Sequence, residues 1–206
     1  YLRQIVLMFD LPIRTYEPVK SIKRFDDHFE IISQSRSGEQ KTLAKRVVLA
    51  TGGTDRPRKL GVTGEELPHV TSSLGDPHQF FRQRLLIVGG KNSAVESALR
   101  AHHAGAKVTI SHRGKSLPEQ SIKYWLMPEI KAYIKSGEIV AHFETSVDSI
   151  STDHVVLIRG DQKIKVETDF VLKQIGYEHD NSLMRNAGIE LIGDDLTPRF
   201  DNETMM

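Results

Sequence analysis

Apolar runs alternate with polar stretches along the chain in an order that predicts an α/β fold. Residues 85–88 are consecutively apolar and residues 106–110 are largely so, which predicts two buried strands of a parallel sheet. Between them, a glycine turn at 89–90 leads into a helix that starts with small residues. This order is typical of a nucleotide-binding unit, in which phosphates lie at the helix N-terminus.

A second pattern is an internal repeat with the same order of elements and similar spacing. Each copy predicts a small antiparallel meander and then a buried strand that runs into glycine. The second copy closes the domain that opens at Gly89, so a homologous first copy would close an earlier domain whose glycine turn precedes residue 1. Residues 1–9 predict the end of a helix, and we therefore expect an internal piece of a longer protein. Chance similarity between two ordinary meanders is the alternative. The copies comprise residues 19–22, 28–32 and 47–52, and residues 147–150, 154–158 and 170–176.

Composition narrows the class of protein without naming a function. The 206 residues are 38% hydrophobic, enough for one large or two small domains, and the net charge of +1 gives no signature of nucleic-acid or acidic-membrane binding. No signal peptide or membrane-length apolar run is present, so we expect a cytoplasmic protein without nucleic-acid or membrane partners. The absence of cysteine excludes a thiol redox centre within these residues, and the nine histidines show no metal-ligand spacing.

Candidate phosphate-binding residues cluster at the glycine turn. Gly89 stands where a side chain would obstruct the turn, and Ala94 stands where the helix packs on its strand. Lys91 replaces the second glycine of the usual pattern, and its side chain could lie along the phosphates or obstruct them. Asn92 and Ser93 can donate to phosphate or simply cap the helix. The predicted cofactor-binding residues here are Gly89, Gly90, Lys91, Asn92, Ser93 and Ala94.

The end of the next strand predicts which nucleotide is preferred. An NAD site has an acidic residue about 20 residues after the glycines, which accepts hydrogen bonds from the ribose 2′-hydroxyl. This chain instead has His112, Arg113 and Lys115, which can donate to a 2′-phosphate, so we predict NADPH. A solvated basic turn is the alternative. Lys123 could reach the 2′-phosphate or the adenine, or could be a solvated lysine.

These motifs resemble the two-domain flavoprotein pyridine-nucleotide disulfide reductases, and within them thioredoxin-reductase-like proteins. Residues 47–52 resemble the passage from the FAD domain into the NADPH domain, and residues 61–70 the crossover that follows. His112 and Arg113 match the start of the 2′-phosphate motif, and Gly176 matches the return to the FAD domain. The resemblance implies that Thr51, Gly52 and Gly176 belong to the cofactor sites.

The same resemblance implies the fold and its division. We expect an α/β protein in which a Rossmann-like NADPH-binding domain, a parallel sheet plus β-meander, is inserted in a partial FAD-binding domain of the same type. The implied segments are residues 1–66 for the partial FAD-binding domain and crossover, 67–176 for the NADPH-binding domain, and 177–206 for an incomplete return to the FAD-binding domain.

Two features narrow the subfamily. Residues 71–84 lack the cysteine pair of thioredoxin reductases, which excludes reduction of thioredoxin by that route. Residues 89–94 together with 121–129 instead resemble the bacillithiol-disulfide (bacilliredoxin) reductase-like group. In that group a redox-active cysteine is thought to lie near the first glycine motif, which this chain lacks. The catalytic residues therefore stay unknown.

The resemblance implies an enzyme that passes hydride from NADPH to FAD and electrons to a disulfide, either a low-molecular-weight thiol disulfide or a small redoxin. One alternative is a cysteine-free relative, such as a ferredoxin–NADP reductase or a monooxygenase. Another is a non-catalytic module that senses NADPH. Homodimers are common among such flavoproteins, but no sequence feature establishes an interface.

Two remaining clusters are interpreted without a catalytic role. Glu65 and Glu66 are neighbouring carboxylates in a predicted loop, and both are expected to be solvated. Trp125, together with Tyr124, Leu126 and Met127, could cover a nicotinamide pocket, but an aromatic and apolar cluster of this kind is more often part of the packing.

Overall fold

The computed structural model describes residues 1–54, 56–194, 196–201 and 203. The chain forms two compact units, one of which interrupts the other in sequence. Tyr1–Asp55 and His179–Met206 form the first, called the split unit here, and Arg56–Glu178 form the inserted unit. This α/β organisation confirms the predicted fold class.

The split unit contains a three-stranded antiparallel meander with the order β1-β2-β3. Ile22 pairs with Ile31 on the neighbouring strand and is buried. The initial helix and the first meander confirm what the sequence predicts for residues 1–9 and 19–32. The elements are α1 (Leu2–Phe9), β1 (Val19–Arg24), β2 (Phe29–Ser35) and β3 (Gly38–Ala44).

The buried strand predicted for residues 47–52 is wrong for this structure. None of the described residues pairs with this segment in a sheet, and Val48 is 89% exposed. A buried strand needs hydrogen-bonded neighbours on its edges, because its N–H and C=O groups must be satisfied. An apolar run shows only that burial would be favourable, so it cannot reveal whether those neighbours are present.

The inserted unit combines a five-stranded parallel sheet of order β5-β12-β6-β7-β8 with an antiparallel meander of order β11-β10-β9. This confirms the predicted parallel sheet plus β-meander. Its elements are β4 (Arg56–Pro57), β5 (Val70–Thr71), β6 (Arg84–Val88), α2 (Asn92–His103), β7 (Lys107–His112), α3 (Met127–Ser136), β8 (Val140–Phe143), β9 (Ser146–Ile150), β10 (His154–Arg159), β11 (Gln162–Glu167), β12 (Phe170–Lys173) and β13 (Tyr177–Glu178), with 3₁₀ turns at Pro77–Phe80 and Glu119–Ser121.

The apolar run of β6 is continuous because both faces of this strand are covered. Leu85 and Ile87 pack into one cluster with residues of α2 and α3. Leu86 and Val88 point to the other face and pack against the meander. The helices and the meander therefore lie on opposite sides of the sheet, and the carboxyl ends of its strands form an edge at which loops can bind a ligand.

The chain passes from one unit to the other between residues 55 and 56 and again between residues 178 and 179. The resemblance places these two boundaries at 66/67 and 176/177. Leu60 and Val62 explain the first difference, since both pack on the meander cluster of the inserted unit. At the other end, β13 pairs antiparallel with β4, so both passages between units form one short ribbon. The assignment of the units to FAD and NADPH stays a prediction.

The chain returns to the split unit after this ribbon. A short helix lies in this returning segment and is followed by a two-stranded hairpin. The elements are α4 (Ser182–Asn186), β14 (Leu191–Ile192) and β15 (Thr197–Pro198).

Candidate functional site

The glycine turn after β6 leaves no space for a side chain. Gly89 has φ +144°, and a Cβ atom there would lie 2.3 Å from the backbone oxygen of Gln174 and 3.2 Å from the Cβ of Ala94. The first contact is with the segment after β12, and the second is with the helix that follows the turn. Glycine is thus required at position 89 by its conformation and by the close approach of two neighbours.

The second glycine of the turn lies directly against a histidine ring. A Cβ atom on Gly90 would be 2.4 Å from the His112 ring, and one on Gly114 would be 2.7 Å from its Nε2. His112 is therefore held between two glycines. Burial, assisted by the charge of Arg113, lowers the pKa of His112 below its ordinary value of 6.5. The ring is neutral at pH 7 and can either donate or accept a hydrogen bond.

The N-terminus of α2 follows this turn. Lys91 is the N-cap residue and its side chain makes no capping hydrogen bond. The Val95 N–H donates to the Lys91 oxygen at 3.1 Å, which is the first hydrogen bond of the helix. The N–H groups of residues 92–94 precede this bond and therefore have no acceptor within the helix. Asn92 uses its side-chain oxygen to accept from the Lys123 N–H at 3.1 Å, which ties the loop before α3 to the helix start.

These elements surround a cleft of about 740 Å³. Its wall includes the ends of β6 and β7 and the segments that follow β4 and β12. No aspartate or glutamate is among the described residues that line it. The lining residues are Arg58, Lys59, Leu60, Val88, Gly89, Gly90, Lys91, Asn92, Ser93, Ser111, His112, Arg113, Ser121, Thr145, Ser146, Val147, Gln174, Ile175, Gly176 and Tyr177.

Comparison with known proteins identifies the family. Residues 1–206 match the family described as "Pyridine nucleotide-disulphide oxidoreductase". The chain belongs to this family. Its members use FAD and a pyridine nucleotide, and the fold is thioredoxin-reductase-like, as the sequence indicates.

Two relatives of the reductase family are similar in sequence. The chain is 36% identical over 159 residues to bacilliredoxin reductase Bdr of Bacillus subtilis (strain 168), covering 77% of this chain and 49% of that protein. It is 26% identical over 189 residues to a ferredoxin–NADP reductase of Ignicoccus hospitalis (strain KIN4/I / DSM 18386 / JCM 14125), covering 89% of this chain and 60% of the relative.

A solved structure of the family superposes on nearly the whole chain. It is bacillithiol disulfide reductase Bdr from Bacillus cereus, with a TM-score of 0.90 and 30% identity, covering 98% of this chain and 62% of that structure. The chain thus spans about half to three fifths of the length of the family members it matches.

Most of the predicted nucleotide-binding residues of this family member converge on the cleft. Ala94 does not line it, because it is buried beneath the glycine turn, where its small side chain permits the close approach of Gly89. The predicted residues that line the cleft are Gly89, Gly90, Lys91, Asn92, Ser93, His112, Arg113 and Gly176.

Two predicted basic residues lie elsewhere in the inserted unit. Lys115 lines a separate hollow of about 630 Å³ beside α3. Lys123 has its Nζ 3.6 Å from a Glu96 carboxylate oxygen and 5.6 Å from the centre of the Trp125 ring. Neither lysine is among the residues that line the cleft, so their contact with a 2′-phosphate stays a prediction.

The predicted flavin contacts, Thr51 and Gly52, belong to the split unit. Gly52 has φ +71°, and no atom lies within 4 Å of the Cβ that another residue would carry there. Glycine is thus favoured at position 52 by the backbone conformation alone. This conformation is compatible with a turn near a cofactor, and the flavin contact itself stays a prediction.

The structure adds cleft residues that the sequence did not single out. Gln174 directly follows β12, and the rule that ligands bind at the carboxyl ends of parallel strands could have found it. Arg58 could not be found in this way, because its guanidinium is placed by a bond to residue 177, which is 119 positions away. Thr145 is buried, and its Oγ1 lies 2.9 Å from the Ser111 Oγ, which braces the end of β7.

The expectation that Glu65 and Glu66 are both solvated is wrong for Glu65. Glu65 is buried and accepts from the Leu60 N–H at 2.7 Å, the Gly61 N–H at 2.8 Å and the Lys173 Nζ at 2.6 Å. Burial alone would raise the pKa of this carboxyl, but the hydrogen bonds from Lys173 and the two backbone groups outweigh it and lower the pKa. Glu65 therefore anchors the segment that carries the cleft residues 58–60.

The aromatic cluster before α3 is not part of the core. Tyr124 is 82% exposed and Trp125 is 57% exposed, and they contact each other edge to face. The interpretation as packing residues is therefore wrong for these two rings, and neither lines the cleft. It is confirmed for Met127, which is buried in the core cluster, and for Leu126, which packs against that cluster.

The described part of the chain contains neither a metal-binding cluster nor a membrane-spanning helix. No three His, Asp or Glu side chains there are grouped so that they could hold a metal ion. No helix in those residues has the length and apolar character needed to cross a membrane.

Proposed function

We propose that the inserted unit binds NADPH in the cleft at the carboxyl edge of its sheet. The observation that carries this proposal is the convergence of Arg113 and His112, at the end of β7, with the tight glycine turn at Gly89. Arg113 forms no ion pair with the residues that the structure describes, so its guanidinium is available for a 2′-phosphate. A carboxylate at this place would instead favour NAD.

We further propose that the chain is part of a flavoprotein reductase. NADPH, when bound, supplies a hydride that reduces FAD, and the electron pair then passes to a disulfide acceptor. The protein positions the nucleotide through the α2 N-terminus and the glycine turn, and it neutralises phosphate charge through basic residues. Thr51 and Gly52 are the proposed flavin contacts of the split unit.

The name of the Bacillus subtilis relative, bacilliredoxin reductase, supports a small redoxin as the acceptor. The name of the Bacillus cereus structure, bacillithiol disulfide reductase, supports a low-molecular-weight thiol disulfide. A cysteine that exchanges with such a disulfide is not among the 206 residues. The relative from Ignicoccus hospitalis supports a second candidate, in which the electrons pass to ferredoxin. Turnover assays that offer NADPH with bacillithiol disulfide or with ferredoxin separate these two functions.

The nucleotide proposal is tested by Arg113→Ala. Because only NADPH carries a 2′-phosphate, we expect NADPH affinity to fall about ten- to a hundredfold and NADH affinity to change less than about twofold, as measured by calorimetry. Arg100→Ala is the matched control, since it removes the same charge from the exposed surface of α2. Equal losses for both nucleotides in Arg113→Ala would contradict the assignment.

A further inference from the structure

Three cations that line the cleft lack an acidic partner within the described residues. They are Arg58, Lys91 and Arg113. A fourth lining cation, Lys59, differs because its Nζ lies 3.5 Å from a Glu66 carboxylate oxygen. Three converging positive charges repel one another, and no lining carboxylate offsets this repulsion. Such an arrangement favours a ligand that carries several negative charges.

The backbone and the Nε of Arg58 are held in place, whereas its terminal groups are free. The Arg58 N–H donates to the Gly176 oxygen at 3.1 Å, and its Nε donates to the Tyr177 oxygen at 3.2 Å. Its two Nη groups have no hydrogen-bond partner in the described part of the chain. A guanidinium that is fixed at Nε and free at both Nη atoms loses little conformational freedom when it binds an anion.

The segment that carries Arg58 is anchored to the end of β12. Glu65 accepts from the backbone N–H groups of Leu60 and Gly61, and it forms an ion pair with Lys173, the last residue of that strand. Buried ion pairs seldom add much stability over apolar residues, so positioning is the more natural role for this one. It holds residues 58–61 beside the strand end that leads to Gln174 and Gly176.

The sheet order separates the three cations along the cleft. β6 lies between β12 and β7, with strands about 4.8 Å apart. Arg113 follows β7, Lys91 follows β6, and Arg58 is bonded to the segment after β12. A dinucleotide whose 2′-phosphate meets Arg113 would cross the glycine turn after β6 with its pyrophosphate and continue towards β12.

We propose that Arg58 is a second dinucleotide-binding cation, which donates its Nη groups to the pyrophosphate from the segment after β4. This inference rests on the proposed function of the cleft. Three cations then meet three phosphates: Arg113 binds the 2′-phosphate, and Lys91 and Arg58 bind the pyrophosphate. Arg58 contributes affinity for both NADPH and NADH, because the pyrophosphate is common to them, and it does not contribute to the choice between them.

The test is calorimetric titration of the 206-residue chain with NADPH, NADH and adenosine 2′-phosphate. In Arg58→Ala, we expect the affinities for NADPH and NADH to fall by the same factor, about ten- to a hundredfold. Adenosine 2′-phosphate lacks the pyrophosphate, so its affinity should stay within about twofold. In Arg113→Ala, the affinity for adenosine 2′-phosphate should fall, whereas the affinity for NADH should stay within about twofold. Arg100→Ala is the charge-matched control.

Each contrary result has a defined meaning. If Arg58→Ala binds both dinucleotides as the wild type does, or weakens adenosine 2′-phosphate equally, the inference is overturned while the proposed function stands. If the wild-type chain binds neither nucleotide, the proposed function fails and the inference with it. Arg58→Lys keeps the charge and loses the Nε bond. Its affinity for both dinucleotides should lie between those of wild type and Arg58→Ala, because the charge remains while the two Nη donors are lost. Affinity equal to that of the wild type would contradict donation from the Nη groups.

Discussion

A side chain at position 89 would meet the backbone of the segment after β12. In Gly89→Ala the new Cβ would lie 2.3 Å from the Gln174 oxygen, at a φ of +144°. Backbone cannot move aside as a flexible side chain can, so we expect the free energy of unfolding to fall by about 3 kcal/mol. Nucleotide affinity should also be lost, because any relaxation would displace the phosphate turn.

Gly160→Ala is the matched control for this change. Gly160 also has a positive φ, +55°, but no atom lies within 4 Å of the position of its Cβ. Only the conformational cost remains, about 1 kcal/mol. Urea unfolding of both variants compares the two costs. Similar losses in the two variants would mean that the turn at Gly89 adjusts without strain.

The difference between Gly89 and Arg58 shows what residue patterns can predict about this site. Gly89 belongs to a local strand–turn–helix pattern, so its role follows from neighbours within a few positions. Arg58 reaches the cleft because β4 and β13 pair across more than a hundred residues, which no local pattern contains. Lys115 gives the opposite case, since its sequence position near Arg113 does not bring it into the cleft.

At the scale of elements, the ion pair between Glu65 and Lys173 joins the crossover segment to β12. Their side chains are only 5% and 12% exposed. Glu65→Ala leaves the Lys173 ammonium buried without its partner, so we expect the free energy of unfolding to fall by about 3–5 kcal/mol. The double variant Glu65→Leu/Lys173→Met should recover only part of this loss, because it removes the unpaired ammonium but still leaves the N–H groups of Leu60 and Gly61 without their acceptor.

Glu66→Ala provides a neighbouring control. Glu66 is exposed, and its pairing with Lys59 at 3.5 Å is on the surface, so its removal should change the free energy of unfolding by less than about 0.5 kcal/mol. Thermal or urea unfolding of the single and double variants measures the coupling. A loss in Glu65→Ala no larger than that in Glu66→Ala would argue against an anchoring role.

The elements also show where sequence patterns suffice. Both meanders were predicted from the repeated order and spacing of elements, and both form, because hairpin strands find their partners nearby in the chain. Residues 47–52 have an equally apolar pattern but no pairing partner among the described residues. A parallel strand pairs with segments that are distant in the chain, so residues 47–52 alone could not show whether such a partner is present.

At the scale of the whole molecule, the order of the two units follows from the repeat in the sequence, but their limits do not. The changeover depends on Leu60 and Val62, whose apolar side chains pack with residues far along the chain. Spacing identifies which elements recur, whereas burial decides to which unit a linking residue belongs. The stability of the whole chain likewise reflects groups from several elements, most clearly in its response to acid.

We expect acid to destabilise the chain in two separate pH ranges. Burial lowers the pKa of His112 and His142 below the ordinary value of 6.5. Between 6.5 and these lower values the unfolded state binds more protons, so stability falls as the pH decreases. The pKa of Asp169 is lowered by hydrogen bonds from Arg84, and that of Glu65 is also lowered, so their stabilising effect is lost only at lower pH.

The measurement is the free energy of unfolding from urea titrations between pH 8 and about pH 2.5, which covers both ranges. His112→Gln/His142→Gln should flatten the decline that begins near pH 6.5, because glutamine does not titrate, and should leave the decline below about pH 4.5 in place. Glu65→Gln should instead reduce the decline at lower pH and leave the decline that begins near pH 6.5 in place. An unchanged upper decline in the histidine double variant would show that burial of these rings in the folded chain does not hold them neutral.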